Sequence, residues 1–191
     1  MAMIPGLDQW AFRFGNDDGS EAAYTFMAAQ DTDVVFTSSN LDANFFIRIG
    51  LQENGLGTLI DAQLEYSLNG GPWTNVNASS LVVRSSASAN IADNANTTER
   101  LTGLAYNFVA GEYDEVDGLC QAVNFFGGDE SEFVYCVQVR SADVASGNTI
   151  DLKITNAGTD ISNYLDIPRI TISLLSNAQK SGFLQFFSEV P

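Results

Sequence analysis

The chain has 191 residues, 45% hydrophobic and 11% aromatic, enough for one domain with a sizeable core. Acidic residues outnumber basic ones 24 to 8, a net charge of -16, which argues against nucleic acid and against an anionic membrane surface, both of which call for Lys and Arg. There is no histidine, and with it go the usual general base near neutral pH, the Ser-His-Asp and Cys-His arrangements and His-ligated zinc.

The acidic excess reads as a solubility device, with divalent-cation binding as the sharper alternative. A hydrolase working through carboxylates alone stays open, but a protein without enzymatic activity is expected. The start, MAMIPGLDQW, has no basic region and no apolar run of signal-peptide length. No window reaches the about 18 apolar residues of a membrane span. Synthesis and folding in a cytoplasm are therefore expected.

Residues 1–8 are apolar and irregular around Pro5-Gly6 and read as an N-terminal arm, with Met3, Ile4 and Leu7 as candidates for docking on a partner. Trp10, Phe12 and Phe14 alternate with Ala11, Arg13 and Gly15, the period of a strand. Asn16-Asp17-Asp18-Gly19 is a turn, because Asn, Asp and Gly tolerate positive φ, and residues 22–29 form the return strand with Tyr24 and Phe26 on one face. Residues 34–37 make a short apolar strand. In the next strand, 44–51, Phe45, Ile47, Ile49 and Leu51 share a face and Arg48 points away. Leu64, Tyr66 and Leu68 lead into Asn69-Gly70-Gly71. A two-residue loop at Asn69-Gly70 or at Gly70-Gly71 predicts a hairpin that sets Trp73 opposite Tyr66 or Leu68, on the apolar face in both registers.

Residues 77–98 are dominated by Ser, Ala, Asn and Thr, and predict a long surface excursion with one short strand near Leu81 to Val83. Residues 101–109 read as a strand and 111–118 as an acidic loop. The stretch 119–126 runs into Gly127-Gly128-Asp129 and returns through Phe133. A turn centred on Gly128 makes this a hairpin and sets Cys120 directly opposite Cys136, a possible cross-strand pair, with two reduced thiols expected in a cytoplasm. From Glu132 to Thr155 two amphipathic strands follow each other. Phe133, Tyr135, Val137 and Val139 alternate in the first, and Ile150, Leu152 and Ile154 in the second; an antiparallel pair is expected. Residues 161–166 and then Ile170, Ile172 and Leu174 supply the last strands, with Pro168 at the mouth of one. The end of the chain carries Phe183, Leu184, Phe186 and Phe187. Four large apolar residues on a tail are costly to expose, and they read as an arm that docks on an adjacent subunit, with strand addition as one route, or else as a tail folded back on its own domain.

About ten to thirteen short strands with frequent turn signals and no convincing helix give an all-β, antiparallel β-sandwich, immunoglobulin-like or jelly-roll-like, with extended arms. Its parts are an N-terminal arm over 1–8, a sandwich over 9–175 and a C-terminal arm over 176–191. The acidic clusters at Asp17-Asp18-Gly19, Glu112 to Asp117 and Asp129 to Glu132 lack the spacing of a calcium loop and read as solvated turns. Tyr24, Tyr66, Trp10, Trp73 and Tyr106 could stack on sugar rings, but their alternation makes them core first. Tyr135-Cys136 lacks the spacing of the immunoglobulin tyrosine corner. No catalytic residue, cofactor site or metal site is predicted.

Four patches, FRFGNDDGSEAAYTF, LEYSLNGGPW, EFVYCVQVRSADVASGNTIDLKIT and YLDIPRITI, resemble in the same order a group of uncharacterised β-rich proteins of tailed bacteriophages and prophages. They cover about half of the chain and are turns and strands, so they carry no catalytic residue with them. The resemblance implies a β-sandwich virion component: a capsid decoration protein on the major capsid protein, homo-oligomeric on the particle, or else a tail or fibre module for host-surface carbohydrate.

Overall fold

The computed structural model describes residues 4–174 except Leu56 and Leu104, and of Ile4 and Pro5 the backbone alone. Thirteen strands among them build two mixed sheets. They are β1 (Ile4–Asn16), β2 (Val34–Phe36), β3 (Phe45–Glu53), β4 (Thr58–Leu68), β5 (Thr74–Asn75), β6 (Val83–Ser85), β7 (Asn107–Phe108), β8 (Tyr113–Asp114), β9 (Leu119–Phe125), β10 (Asp129–Val139), β11 (Thr149–Asn156), β12 (Ile161–Tyr164) and β13 (Arg169–Ile172). The first sheet runs β12-β1-β3-β10-β6, with β7 and β8 also on β10; the second runs β2-β13-β11-β4-β5, with β9 also on β4. Alternate residues of each sheet, such as Phe45, Ile47 and Ile49 of β3 and Ile150, Leu152 and Ile154 of β11, meet in one buried core. The all-β sandwich is as expected, but four pairings (β1–β12, β13–β2, β10–β7 and β10–β8) are parallel rather than antiparallel.

Several expected hairpins are instead crossings between the sheets. Strands β10 and β11 do not pair. Both edges of β10 are already taken, one by β3 and the other by β7, β8 and β6 in turn, so β11 joins β4 and β13. Likewise β9 bonds to β4 and β10 to β3. The turn at Gly128 is real, with Asp129 N donating to Phe126 O at 2.9 Å, but it carries the chain across the sandwich. The β3–β4 connection crosses beside it. Gly57 has φ +103, a Cβ there would fall 2.7 Å from Phe125 O, and one on Gly127 would strike Gly55 O. Two arches therefore pack backbone on backbone, and Cys120 and Cys136 end in different sheets. The expected cysteine pair is overturned: both are free and buried, Cys120 in the main core and Cys136 in a smaller cluster.

Other departures have equally local causes. After the turn at Asn16–Gly19, residues 22–29 make one bridge, Gly15 to Phe26, on the edge of β1 opposite β3, with Asn16 N donating to Thr25 O at 2.8 Å and Met27 N to Phe14 O at 2.9 Å. In the β4–β5 hairpin Glu65 faces Asn75 and Tyr66 faces Thr74, which places Trp73 level with Ser67 on the outer face and 37% exposed, not on the apolar face. Residues 101–109 supply only the two-residue β7. The N-terminal arm is not free: β1 begins at Ile4, and Leu7 is 0% exposed in the core.

Segment 77–98 is a covering layer rather than a loose excursion. Its small polar side chains hold the turn at Asp17: Ser88 Oγ donates to Asp17 Oδ1 at 2.6 Å and Asn90 Nδ2 at 2.9 Å. Beneath it lies the second cluster, Tyr24, Phe46, Ile91, Tyr113, Val134 and Cys136, on the outer face of the first sheet.

Arg48 fixes this layer. It projects from the outer face of β3 as expected, but it is fully buried. Its guanidinium pairs with Glu21 and with Glu132, donates from Nε to Tyr24 Oη at 2.7 Å and from Nη1 to Thr98 O at 2.7 Å. Glu132 in turn accepts Arg100 N at 2.8 Å and Leu101 N at 2.7 Å, and Glu21 accepts Thr98 Oγ1 at 2.7 Å. Arg48→Met would leave two buried carboxylates without their cation, and is expected to destabilise the fold by about 3–5 kcal/mol. Urea unfolding checks this; a loss no larger than that of an exposed arginine such as Arg169 would refute it.

Candidate functional site

Three features of the surface and its lining bear on function. The first is an acidic cleft of about 440 Å³ beside β9, lined by Asp61, Asp93, Asn94, Asp114, Asp117 and Gln121 among others. It forms because β8 and the turn after it swing over the end of β9. Asp114 is 5% exposed and accepts Gly118 N at 2.6 Å. Burial pushes its carboxyl up to about 6, against the pull of its backbone hydrogen bonds. Burial also raises Glu112, which accepts from Gln121 N. Cys120 Sγ donates to Glu112 O at 3.3 Å, and burial pushes this thiol well above its ordinary range. Among the described residues no group of three or more His, Cys, Asp or Glu is placed to hold a metal ion.

The second is a cleft of about 510 Å³ lined by Phe26, Met27, Val34, Val35 and Phe36, with Asn16, Asp33 and Asn40 at its polar rim. It runs beside β2, the terminal strand of the second sheet, where Val35 is 61% exposed. Ser173 N donates to Phe36 O at 2.8 Å, continuing the β13–β2 pairing, so the described chain ends, at Leu174, beside the end of β2 on the side that faces β13. Of the docking residues expected from sequence, Met3, Phe183, Leu184, Phe186 and Phe187 lie outside the described residues, and Ile4 is placed by its backbone in β1.

The third was missed by sequence reading. Lys153, on the outer face of β11, is 5% exposed. It pairs with Asp160 and lies 3.6 Å from Glu65 Oε2 on the neighbouring strand. Trp73 and Tyr164 close over it, their ring centres 4.6 and 5.1 Å from Nζ. In sequence Lys153 is one polar residue of an alternating strand; the available signal was a cation facing a bulky aromatic hairpin two strands away.

Of the aromatic residues considered for sugar stacking, all but Trp73 are otherwise engaged. Tyr24 and Tyr66 are buried, Tyr106 Oη donates to Asn54 Oδ1 at 2.7 Å, and Trp10 lies over Gly50, whose added Cβ would fall 2.8 Å from the indole nitrogen. The acidic clusters are also not plain solvated turns: Asp17 is bound by Ser88 and Asn90, Glu132 by Arg48, and Asp129 Oδ1 by Asn107 Nδ2 at 3.0 Å. No protein-family description matches this chain, and no curated protein matches it significantly. No helix among the described residues is long and apolar enough to cross a membrane.

Two outcomes are expected. A thiol reagent should find no reactive cysteine in the native protein and both in denaturant without reductant; a denatured protein with neither thiol reactive would contradict their separation. A carboxyl whose folded pKa is raised binds its proton more tightly when folded, so ionised Asp114 costs stability at neutral pH and the cost fades as pH falls through about 6. Asp114→Asn should therefore exceed wild type in stability at neutral pH, by at most about 3 kcal/mol, with the gap closing toward acid. Urea midpoints across this range decide it, and a pH-independent gap would count against it.

Proposed function

We propose that this chain is a non-enzymatic virion structural protein of a tailed bacteriophage or prophage, most specifically a capsid decoration protein. It binds the assembled shell of major capsid protein and bridges neighbouring subunits, as a homo-oligomer on the particle. The observation that carries this reading is the terminal strand β2, with exposed Val35 and beside it a cleft that mixes Phe26, Met27 and Val34 with polar Asn16, Asp33 and Asn40, lying where the described chain ends before the aromatic stretch containing Phe183 and Phe187. A strand edge with no partner among the described residues and apolar side chains beside it is the kind of surface that works by area and strand addition rather than by chemistry. The four patches that resemble phage β-rich proteins, in the same order, suit the same class.

A tail or fibre module binding host carbohydrate is the second reading, favoured by the carboxylate and amide side chains of the acidic cleft and by exposed Trp73. Co-sedimentation with capsids separates the two. The full chain is expected to pellet with shells, and a chain ending before Ser181 to pellet at least tenfold less. If neither pellets while the full chain is retained on a host-glycan surface, the decoration reading fails.

A further inference from the structure

The geometry points to a self-made covalent cross-link: an isopeptide bond between Lys153 Nζ and Asp160 Cγ, formed with Glu65 as proton carrier. The inference does not rest on the capsid reading. It begins with composition. The chain has only two lysines, Lys153 and Lys180, and the first is buried within a β-sheet structure of an acidic protein that has no shortage of surface for it.

The nucleophile and the electrophile are already in contact, since Nζ touches Asp160 Oδ1. Register sets this up. Lys153 faces Glu65 directly across β11 and β4, and the turn after β11 brings Asp160 back over the same side chain. Holding two reactants in one place is worth an effective concentration of about 10⁵ M or more, enough to drive condensations that fail in dilute solution. Lys153 and Glu65 have side chains only 6% and 9% exposed, and Trp73 and Tyr164 screen the amine from water. Tyr164 Oη lies 3.2 Å from Asp160 Oδ1, the oxygen that takes up the proton and leaves, and helps to hold the carboxyl in place.

The resting pair is an ion pair, which keeps Asp160 below its ordinary carboxylate range through its hydrogen bond with Lys153. Moving one proton from ammonium to carboxylate gives a neutral amine beside a neutral acid without exchange with solvent. The Nζ lone pair then attacks Cγ. Nζ gives up a proton to the Glu65 carboxylate, 3.6 Å away. The Cγ–OH bond breaks, and the hydroxyl leaves as water with the proton from Glu65. One C–N bond is made, one C–O bond is broken, one water is released, and Glu65 is returned unchanged. No oxidant or other reactant is needed.

The bond would change what the arrangement does. As an ion pair, Lys153–Asp160 joins β11 of the second sheet to the turn leading into β12 of the first. As an amide, it closes that corner permanently.

Intact mass under denaturing conditions is the test. Wild type is expected one water lighter than its sequence. Trypsin, which does not cut after an acylated lysine, should leave 141–169 as one peptide, with no fragmentation between Lys153 and Asp160. Asp160→Asn should reach the same final mass as wild type by expelling ammonia, and Glu65→Gln and Lys153→Arg should keep their full sequence masses. Far-ultraviolet circular dichroism of Lys153→Arg shows whether the fold survives without the bond. A wild-type mass equal to the sequence overturns the proposal. So does a missing water that maps to a cyclic imide at Asp18-Gly19, and so does an undiminished water loss in Glu65→Gln.

Discussion

A guanidinium with no exposure to solvent holds the outer wall of this protein. Arg48 sits on the face of β3 that, in a plain sandwich, would look into water. Burying such a charge is costly unless it is paired and its donors are satisfied. Here Glu21 and Glu132 supply the charge, and Tyr24 and Thr98 take further hydrogens. The two carboxylates come from opposite directions, one from the turn region after β1 and one from β10. Arg100 completes the arrangement by donating to the carbonyls of Glu21 and Tyr24 and lying over the Tyr24 and Phe26 rings at 4.4 and 4.3 Å. Arg48 ties Glu21, Tyr24, Thr98 and Glu132 of this cover to β3, while Ser88 and Asn90 fasten another part of it to Asp17. The Phe46 and Tyr113 cluster is buried beneath.

Strand positions were largely legible in the sequence, and strand partners were not. Period-two alternation marks β1, β3, β4, β10 and β11, because each presents one face to the core whatever its neighbour is. Pairing depends on which edges are left open, and that is a property of the whole sheet. Gly127-Gly128 has the composition of a hairpin turn, yet the same glycines serve a crossing, because what they provide is close approach between two backbones. The Cys120–Cys136 expectation fell with that hairpin. The 77–98 segment was opaque for another reason. Its Ser and Asn residues act by hydrogen bonding to Asp17 and Asn44, and such contacts leave no periodic trace.

The surface clefts and the Lys153 site were illegible for the same cause at smaller scale. Lys153, Glu65 and Asp160 read as three ordinary polar residues, and only the β11–β4 register and the following turn bring them together. Arg48 was readable in part. Both faces of the run NFFIRIGL are apolar around it, which is the pattern of a strand covered on two sides. A lone cation in such a run is a sign of burial rather than of a solvent face.

In the first sheet an early strand pairs with a late one. Strand β12 lies parallel to β1, with Ile4 beside Ile161 and Gln9 beside Tyr164. Gln9, fully buried, donates to Asp166 O at 2.7 Å and accepts from Ile154 N at 2.9 Å, so it bridges segments about as far apart as the sequence permits. Parallel pairing between distant segments is slow to form, because a large loop must close before any contact rewards it. β1 is made well before β12, so the stretch of its edge from Ile4 to Gln9 has no partner until β12 follows. A chain cut short between the two leaves that stretch of edge open. An open strand edge is a template for pairing with other chains, so the β1–β12 pairing also removes a site of aggregation that such a shorter chain would present.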